Sequence, residues 1–378
     1  MSKINWKKVI GWGVAALVVI GVVGFNAWQN NKIKEQKFVI GMNLPMTGAL
    51  ALFTKPYVQG FEMGIKDELE KQNIPLDSIE ILMGDNNGTS SESVSLFHEQ
   101  NLKGVDVYIS GFAYATRAVE NLVATHQIPH FIIAFQEDLV KNYPNNIRIL
   151  PNYGIEQKLF IDFLKKKAPK KVFVFSNSDP AFSEVINRYF IPYMKENDID
   201  YKHEQIDTGF KEFRVLAQKL EKYQPDVVLN LAFSYELQNF LTKLKTYNLI
   251  TPQNSYWDLD FMDLVYSEKD FELLKDVVFT TTEFDMNKVA SQKEWKEKYF
   301  KLYGEKPAYQ SAYGYDTGRL IIKAFAKNGK VDVDGILSQT PYQGISGNIE
   351  MDMNTRDLKS TLIPATLDEN GELVPVTE

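Results

Sequence analysis

The chain has 378 residues, of which 44% are apolar and 24% charged, a composition typical of a globular protein long enough for about two domains. It contains no cysteine, which excludes disulfide bonds, thiolate catalysis and cysteine-ligated zinc. Residues 1–37 carry six lysines and one acidic residue, so the net charge of −7 comes from an acidic remainder, which argues against a nucleic-acid partner.

The N-terminal segment contains twenty consecutive uncharged residues, 9–28, which follow three lysines. At about 1.5 Å per residue, a helix of this length spans the hydrocarbon core of a bilayer, and the lysines place the N-terminus in the cytoplasm. We predict an uncleaved membrane anchor rather than a removed signal peptide, because bulky Phe25 disfavours a small-residue cleavage site and Trp6 and Trp28 flank the run as interfacial residues do. Under either alternative, the rest of the chain is expected on the periplasmic or extracytoplasmic face of the cytoplasmic membrane.

The next segment, 38–61, has the pattern of a strand, a loop and the start of a helix. Phe38–Ile40 is a short β-rich run, Pro45 and Gly48 interrupt the chain, and an apolar-periodic segment follows. In parallel α/β sheets, ligands bind at the loops beyond the carboxyl ends of the strands. The loop that contains Thr47 and leads to Phe53 is therefore a candidate binding loop.

Strands and helices then alternate, which indicates parallel sheets. Strands are predicted at 79–83, 105–109, 130–133, 147–150, 171–175, 201–206, 226–231, 254–257 and 277–281, and helices at 90–102, 115–126, 182–196, 212–223 and 235–247. Because about ten strands are too many for one compact sheet of this length, the pattern predicts an α/β protein with two Rossmann-like lobes.

The pattern changes after residue 290. Two long helices are predicted at 290–302 and 308–327 with no strand between them, and a hairpin is predicted from strands 363–367 and 373–376. Pro364 and Pro375 lie within those two runs, so we predict that both are edge strands at best.

No motif for catalysis is present. The chain has neither a nucleophile elbow nor a glycine-rich phosphate-binding fingerprint. His126 and His130 are four residues apart, but Pro129 lies between them at a helix-to-strand junction, so a shared metal ion is not predicted. We therefore predict a protein that is not an enzyme, has no metal or cofactor, and binds a ligand in a cleft lined by aromatic side chains.

Four segments in order resemble type I periplasmic solute-binding proteins, in particular the branched-chain amino acid and amide branch that serves ABC importers. They are FVIGMNLPMTG (38–48), GVDVYISGFAYATRAVENLVATHQIPHFI (104–132), KLEKYQPDVVLNLAFSYELQNFLTKLKTYNL (219–249) and YFKLYGEKPAYQSAYGYDTGRLIIKAFAKNG (299–329). The resemblance implies two lobes joined by a three-strand hinge, with crossings near 150–153, 282–285 and 340–344. It assigns 38–150 plus 285–340 to lobe one and 151–284 plus 341–378 to lobe two, after a signal peptide or anchor at 1–37.

The resemblance also implies a ligand site. Tyrosines of the amino-acid binders match Phe53, Phe182 and Phe233; the hydroxyl groups that hold the ligand carboxylate match Ala115 and Gln136, with a backbone group at Ala134; and the acid that holds the ligand ammonium matches Asp260. Thr116 supplies a hydroxyl instead if the register shifts by one residue. Since a site without these phenols and hydroxyls does not offset the desolvation of a carboxylate, a more apolar or aromatic ligand is expected, with a cationic or donor group for Asp260.

Each of these assignments has a structural alternative. The three phenylalanines are also compatible with an ordinary core, and Asp260 is also compatible with an N-cap of the helix after it. Two arginines are weaker candidates for a ligand carboxylate, because Arg148 lies at the predicted hinge and Arg117 is expected in solvent. The expected partners are a small molecule and an ABC permease, and the alternative function is that of a membrane-anchored sensory or scaffolding protein of the same fold.

Overall fold

The computed structural model describes residues 37–376 except 49, 208, 233, 252–253, 268–270, 276 and 360–361. The predicted membrane segment at 9–28 lies outside the described residues. Within the described ranges, no helix combines the length and the apolar character that a membrane crossing requires.

The secondary structure alternates as predicted over most of the chain. The first part has strands β1 (Phe38–Leu44), β2 (Ile79–Asp85), β3 (Val107–Gly111), β4 (His130–Ile133) and β5 (Asn146–Ile147), and helices α1 (Ala51–Gln72), α2 (Ser90–Leu102), α3 (Ala113–Thr125) and α4 (Asp138–Lys141). The middle part has strands β6 (Lys171–Asn177), β7 (Asp200–Ile206), β8 (Val227–Leu231), β9 (Ser255–Trp257) and β10 (Val278–Thr282). Its helices are α5 (Tyr153–Lys167), α6 (Pro180–Val185), α7 (Ile191–Glu196), α8 (Phe213–Tyr223), α9 (Ser234–Thr246), α10 (Phe261–Ser267) and α11 (Phe271–Leu274), and a π-helical turn (Ile186–Phe190) joins α6 to α7. The last part has helices α12 (Gln292–Tyr303), α13 (Tyr309–Asn328) and α14 (Val333–Leu337) and strands β11 (Tyr342–Gln343), β12 (Asn348–Ile349), β13 (Leu362–Leu367) and β14 (Leu373–Pro375).

The strands form two large sheets, and each sheet is the centre of one lobe. The first lobe has a five-stranded parallel sheet in the order β2-β1-β3-β4-β5. The second lobe has a seven-stranded sheet in the order β14-β13-β10-β9-β8-β6-β7, in which only β13 is antiparallel to both its neighbours. The predicted α/β architecture of two lobes is confirmed.

Glycines allow the two longest helices to pack closely against each other. In α1 and α13 the glycines are spaced four residues apart, and their backbones touch. A β-carbon on Gly314 would lie 2.1 Å from the carbonyl oxygen of Tyr57, and one on Gly60 would lie 1.9 Å from that of Ser311. The helices α12 and α13 thus return to the first lobe, which explains why no strand separates them.

The third crossing between the lobes lies later than predicted. The sequence predicts it near Thr340–Gly344, but the segment that follows stays bound to the first lobe. The carboxylate of Asp316 in α13 accepts hydrogen bonds from the backbone and hydroxyl of Ser346, and the Arg356 guanidinium donates to a backbone carbonyl of β5. The segment 345–359 therefore stays with the first lobe, and β13 is the next described element of the second lobe.

Two strand predictions also need correction. The strand predicted at 147–150 ends at Ile147, because the Arg148 N–H bonds outside the sheet, to the carbonyl of Arg356. β13 is an interior strand, not an edge strand, despite Pro364. In an antiparallel strand the N–H and C=O of one residue point to the same side, and the Pro364 carbonyl accepts from Val376. The missing N–H of this proline therefore faces the end of β14 and costs no bond to β10.

Candidate functional site

A row of aromatic rings connects the two lobes at the carboxyl ends of their strands. The Phe53 ring in α1 meets the edges or faces of Phe112 and Phe135 at centroid distances of 5.6 and 5.7 Å. Phe135 lies 5.4 Å from Tyr153 at the start of α5, and Tyr153 lies 6.4 Å from Phe182 in α6. Since the rings belong to both lobes, the row forms an aromatic boundary between them, where the family pattern predicts the ligand cleft.

The aromatic side chains of this row differ in their exposure to solvent. Phe53 and Phe182 are 9% and 1% exposed and also contact the hydrophobic cores of their lobes. Phe112, Phe135 and Tyr153 are half-buried, so more of their surface is exposed than that of Phe53 and Phe182. Phe233, the third predicted aromatic, lies outside the described residues.

Phe112 adopts a backbone conformation that non-glycine residues rarely occupy. It follows β3 directly with φ 64° and ψ 154°, and its N–H donates to the carbonyl of Ile133 in β4. Such a conformation costs on the order of 1–3 kcal/mol and persists where the surroundings enforce it, most often at functional sites. The strain is thus a structural mark of the cleft that no sequence pattern revealed.

The two predicted residues of α3 lie on its buried face. Ala115 and Thr116 are fully buried. The Thr116 hydroxyl bonds to Ser110 at 2.8 Å, and Ser110 bonds in turn to Nε2 of His130 at 2.7 Å. Burial lowers the pKa of His130 to about 4, so the ring is neutral at physiological pH. Thr116 therefore belongs to a hydrogen-bond chain inside the first lobe.

Arg148 holds the loop after β4, where the predicted residues Ala134 and Gln136 lie. Its guanidinium donates to the carbonyl oxygens of Ala134 and Gln136 at 2.8 and 2.6 Å and forms a bidentate ion pair with Asp357. The Asn152 amide donates to the same carboxylate. These contacts agree with the structural role that the sequence predicts for Arg148 at the hinge. Arg117 is likewise engaged, in a half-exposed pair with Asp138 at 2.7 Å.

Acidic side chains gather on the opposite side of the cleft, at the end of β9. Asp258 and Asp260 flank Leu259, whose N–H donates to Oε1 of Glu156 in α5 at 2.6 Å. Burial raises the pKa of Glu156 to about 7. Burial raises the pKa of Asp258 far above its usual range, with further contributions from the charges of Asp260 and Glu156. Burial, with the charges of Asp263 and Glu156, does the same to the pKa of Asp260.

The carboxylate of Asp260 has no helix-capping role. α10 begins at the next residue, and the backbone carbonyl of Asp260 accepts the N–H of Asp263 at 3.2 Å. Its carboxylate accepts no hydrogen bond from the described residues. The alternative interpretation of Asp260 as an N-cap therefore has no supporting hydrogen bond among the described residues.

Several functional candidates were not found from the sequence. Tyr153 and Tyr309 are two of them: burial and then the charge of Asp260 raise both phenol pKa values. The Tyr309 ring also lies 6.4 Å from Phe53, at the start of α13. Glu156 and Asp258 are two more, since each lies in a segment with no local signature. Only the fold brings these four side chains beside Asp260.

The loop after β4 also contacts the second lobe directly. The Glu137 carboxylate accepts a short hydrogen bond from the Tyr189 hydroxyl and lies 3.5 Å from the guanidinium of Arg188. A β-carbon on Gly154 would lie 2.1 Å from the same carboxylate, so glycine permits this approach. The cleft is closed on this side by polar contacts.

Comparisons with known proteins agree with the architecture. A family model described as periplasmic binding protein matches residues 37–372. The structure is similar to the leucine-binding protein LivK from Thermotoga maritima, with a TM-score of 0.75, 17% identity, and coverage of 90% of this chain and 98% of that one. It is similar to the branched-chain amino acid binding protein LivJ from Streptococcus pneumoniae in complex with isoleucine (TM-score 0.76, 18% identity, coverage 90% and 100%). It is also similar to an ABC transporter solute-binding protein from Rhodopseudomonas palustris in complex with 3,4-dihydroxybenzoic acid (TM-score 0.75, 22% identity, coverage 90% and 95%). Comparison with curated protein sequences gives no significant match.

Proposed function

Because the chain belongs to the periplasmic binding protein family, we propose that it captures a small organic solute between its lobes, outside the cytoplasmic membrane, and delivers it to an ABC permease. The observation that carries this proposal is the aromatic row from Phe53 to Phe182, which runs across both lobes at the carboxyl ends of their strands. Lobe closure around the solute is the mechanism, and it requires no covalent chemistry.

The side chains of the cleft favour a ligand with an apolar or aromatic body. Phe53 and Phe182 form the walls, the family pattern assigns the third aromatic position to Phe233, and Ala115 leaves room where a hydroxyl would stand. Gln136 and the backbone of Ala134 contribute polar edges, and Asp260 receives a donor group of the ligand. The similar proteins bound to isoleucine and to 3,4-dihydroxybenzoic acid support a small ligand with an apolar portion.

Native mass spectrometry of the full chain, purified without denaturant from its own host, tests this proposal. A mass in excess of the polypeptide identifies a retained solute. After the solute is removed by unfolding and refolding, its return at 100 times Kd is expected to stabilise the protein by about 2.7 kcal/mol. The proposal fails if no solute is retained and if amino acids, amides, amines and aromatic acids all leave the melting temperature unchanged.

The uncharged segment at 9–28 supports a second candidate, a ligand sensor held at the membrane. A diffusing carrier needs no anchor, whereas a sensor must pass its signal to a membrane partner. The intact mass of the protein from its own host distinguishes the two: loss of the segment supports the carrier, and its retention supports an anchored protein.

A further inference from the structure

Three carboxyl groups converge on one short loop of the cleft. Glu156 reaches Leu259 from α5, and Asp258 and Asp260 precede and follow that residue. Glu156 and Asp258 are buried and Asp260 is half-buried. Among the described residues, every charged group that contributes to the raised pKa values of the two aspartates is itself acidic.

Buried polar atoms without hydrogen-bond partners belong to Asp258 in this loop, to Gln157 directly after Glu156, and to Tyr309, whose phenol pKa is raised by burial and by the charge of Asp260. Oδ1 of Asp258, both amide atoms of Gln157 and the Tyr309 hydroxyl make no hydrogen bond within the described structure. Asp258 is 3% exposed, and Gln157 and Tyr309 are fully buried. Folded proteins pair almost all such atoms, so a group of unpaired ones beside a ligand cleft indicates where a ligand bonds.

The nearby cations are already neutralised. Among the described residues, Arg148 is paired with Asp357 and Arg117 with Asp138, both in the first lobe, and Arg188 forms ion pairs with Glu137 and Glu184. Burial raises the pKa of Asp285, and the charge of the nearby Lys296 opposes this rise; the Asp285 carboxylate also accepts a hydrogen bond from the Tyr266 hydroxyl. A ligand carboxylate would thus meet acidic groups in the cleft and gain no pairing with these basic residues.

A bare metal ion does not fit this arrangement. In the part of the chain that the structure describes, no three acidic or histidine side chains converge on a common metal position. The carboxyl groups therefore need a partner whose donors reach them separately, and an ammonium group has three such donors.

We propose that the cleft binds an organic cation: a protonated amine on an apolar or aromatic body, without a free carboxylate. The inference rests on the proposed function, since it specifies the ligand of the same cleft. The ammonium bonds to Asp258 and Asp260, and the apolar body lies along Phe135 and Tyr153. The ligand thereby supplies the positive charge that the cleft lacks.

Three matched probes separate the contribution of each charge. Phenethylamine carries only the ammonium, 3-phenylpropanoate only the carboxylate, and phenylalanine both. Isothermal titration of the stripped full chain at pH 8 is expected to show phenethylamine binding at least about tenfold tighter than either of the others, the factor expected for one charge-assisted hydrogen bond. Sodium and magnesium chloride serve as controls for an inorganic cation.

Asp258→Asn and Asp260→Asn test the two proposed partners. Each is expected to weaken phenethylamine binding at least about tenfold, while binding of neutral 2-phenylethanol stays the same or strengthens. Asp138→Asn is the matched control, because that aspartate pairs with Arg117 and is expected to leave phenethylamine affinity unchanged. Circular dichroism verifies that each variant is folded.

The outcomes distinguish this inference from the proposed function. If phenylalanine or 3-phenylpropanoate binds more tightly than the amine, or if salts reproduce the heat of the amine, the organic-cation inference is overturned and the solute-binding function stands. If phenethylamine does not bind, the inference is overturned; the solute-binding function fails as well only if no solute is retained and the wider set of amino acids, amides, amines and aromatic acids also leaves the melting temperature unchanged. Amine affinity that both asparagine variants leave unchanged also overturns the inference.

Discussion

Replacing Glu156 by glutamine is expected to stabilise the unliganded protein at high pH but not at low pH. Glutamine has nearly the same shape, and its carbonyl oxygen still accepts the N–H of Leu259. The change removes only the ability to ionise. The variant thus isolates the cost of a buried charge from the loss of packing.

The pKa of Glu156 determines the size and the sign of this effect. Burial raises it from 4.5 to about 7, opposed by the hydrogen bond from Leu259. Between these values the unfolded chain has released the proton that the folded chain retains, so the free energy of unfolding falls as pH rises through this window. At 1.36 kcal/mol per pKa unit the full cost is about 3 kcal/mol. We expect Glu156→Gln to gain about 2 kcal/mol more over the wild type at pH 8 than at pH 5.

Urea unfolding followed by tryptophan fluorescence at pH 5 and pH 8 measures this difference. Glu212→Gln is the control, because this glutamate is exposed before α8, and its substitution is expected to change stability by less than about 0.5 kcal/mol at both pH values. If Glu156→Gln gains no stability between pH 5 and pH 8, Glu156 is not a proton-holding group of the cleft.

Three further predictions concern the first lobe and the hinge. Asp357→Asn breaks the buried pair with Arg148 and is expected to cost about 3–5 kcal/mol in urea unfolding, whereas Asp138→Asn in the half-exposed pair costs less than about 1 kcal/mol; equal costs would contradict the structural role of Arg148. Gly314→Ala is expected to lower the free energy of unfolding by about 1–3 kcal/mol, because the added methyl group would lie 2.1 Å from the carbonyl oxygen of Tyr57. An unchanged urea midpoint would mean that α1 and α13 do not touch. His130 is expected to titrate near pH 4 in NMR spectra, with stability lost as pH falls from 6.5 towards 4, and a midpoint above 6 would refute its burial.

Local pattern was sufficient for most strands and helices. The segment His130–Ile133 has three apolar residues after its histidine and follows a proline, and the observed β4 has those bounds. The prediction of strand ends and strand positions failed where a residue distant in the sequence determines the backbone hydrogen bonds. The Arg148 N–H leaves the sheet for the carbonyl of Arg356, and the interior position of β13 depends on which side of the strand Pro364 faces. Neither fact is encoded in a short window of sequence.

The site could be predicted only in part for the same reason. The family pattern directed attention to Phe53 and Asp260, which lie at the aromatic row and the acidic loop. It gave no reason to notice Glu156, which reads as an ordinary residue in the first turn of a helix. Its importance comes from the hydrogen bond that its carboxylate accepts from the Leu259 N–H, a contact between residues 103 positions apart. Thr116 looked available as a hydroxyl because its partner Ser110 precedes it on a separate element.

The close packing of α1 against α13 has a consequence for the order of folding. The contact joins segments far apart in the chain: the Tyr315 hydroxyl bonds to Asp67, 248 positions earlier. The first lobe therefore acquires its central helix pair only after α13 has been synthesised, whereas strands β6 to β10 of the second lobe follow one another in the chain. Contacts of such long sequence separation slow folding. Both lobes are thus completed by late segments of the chain: α13 completes the helix pair of the first lobe, and β13 and β14 then complete the sheet of the second lobe.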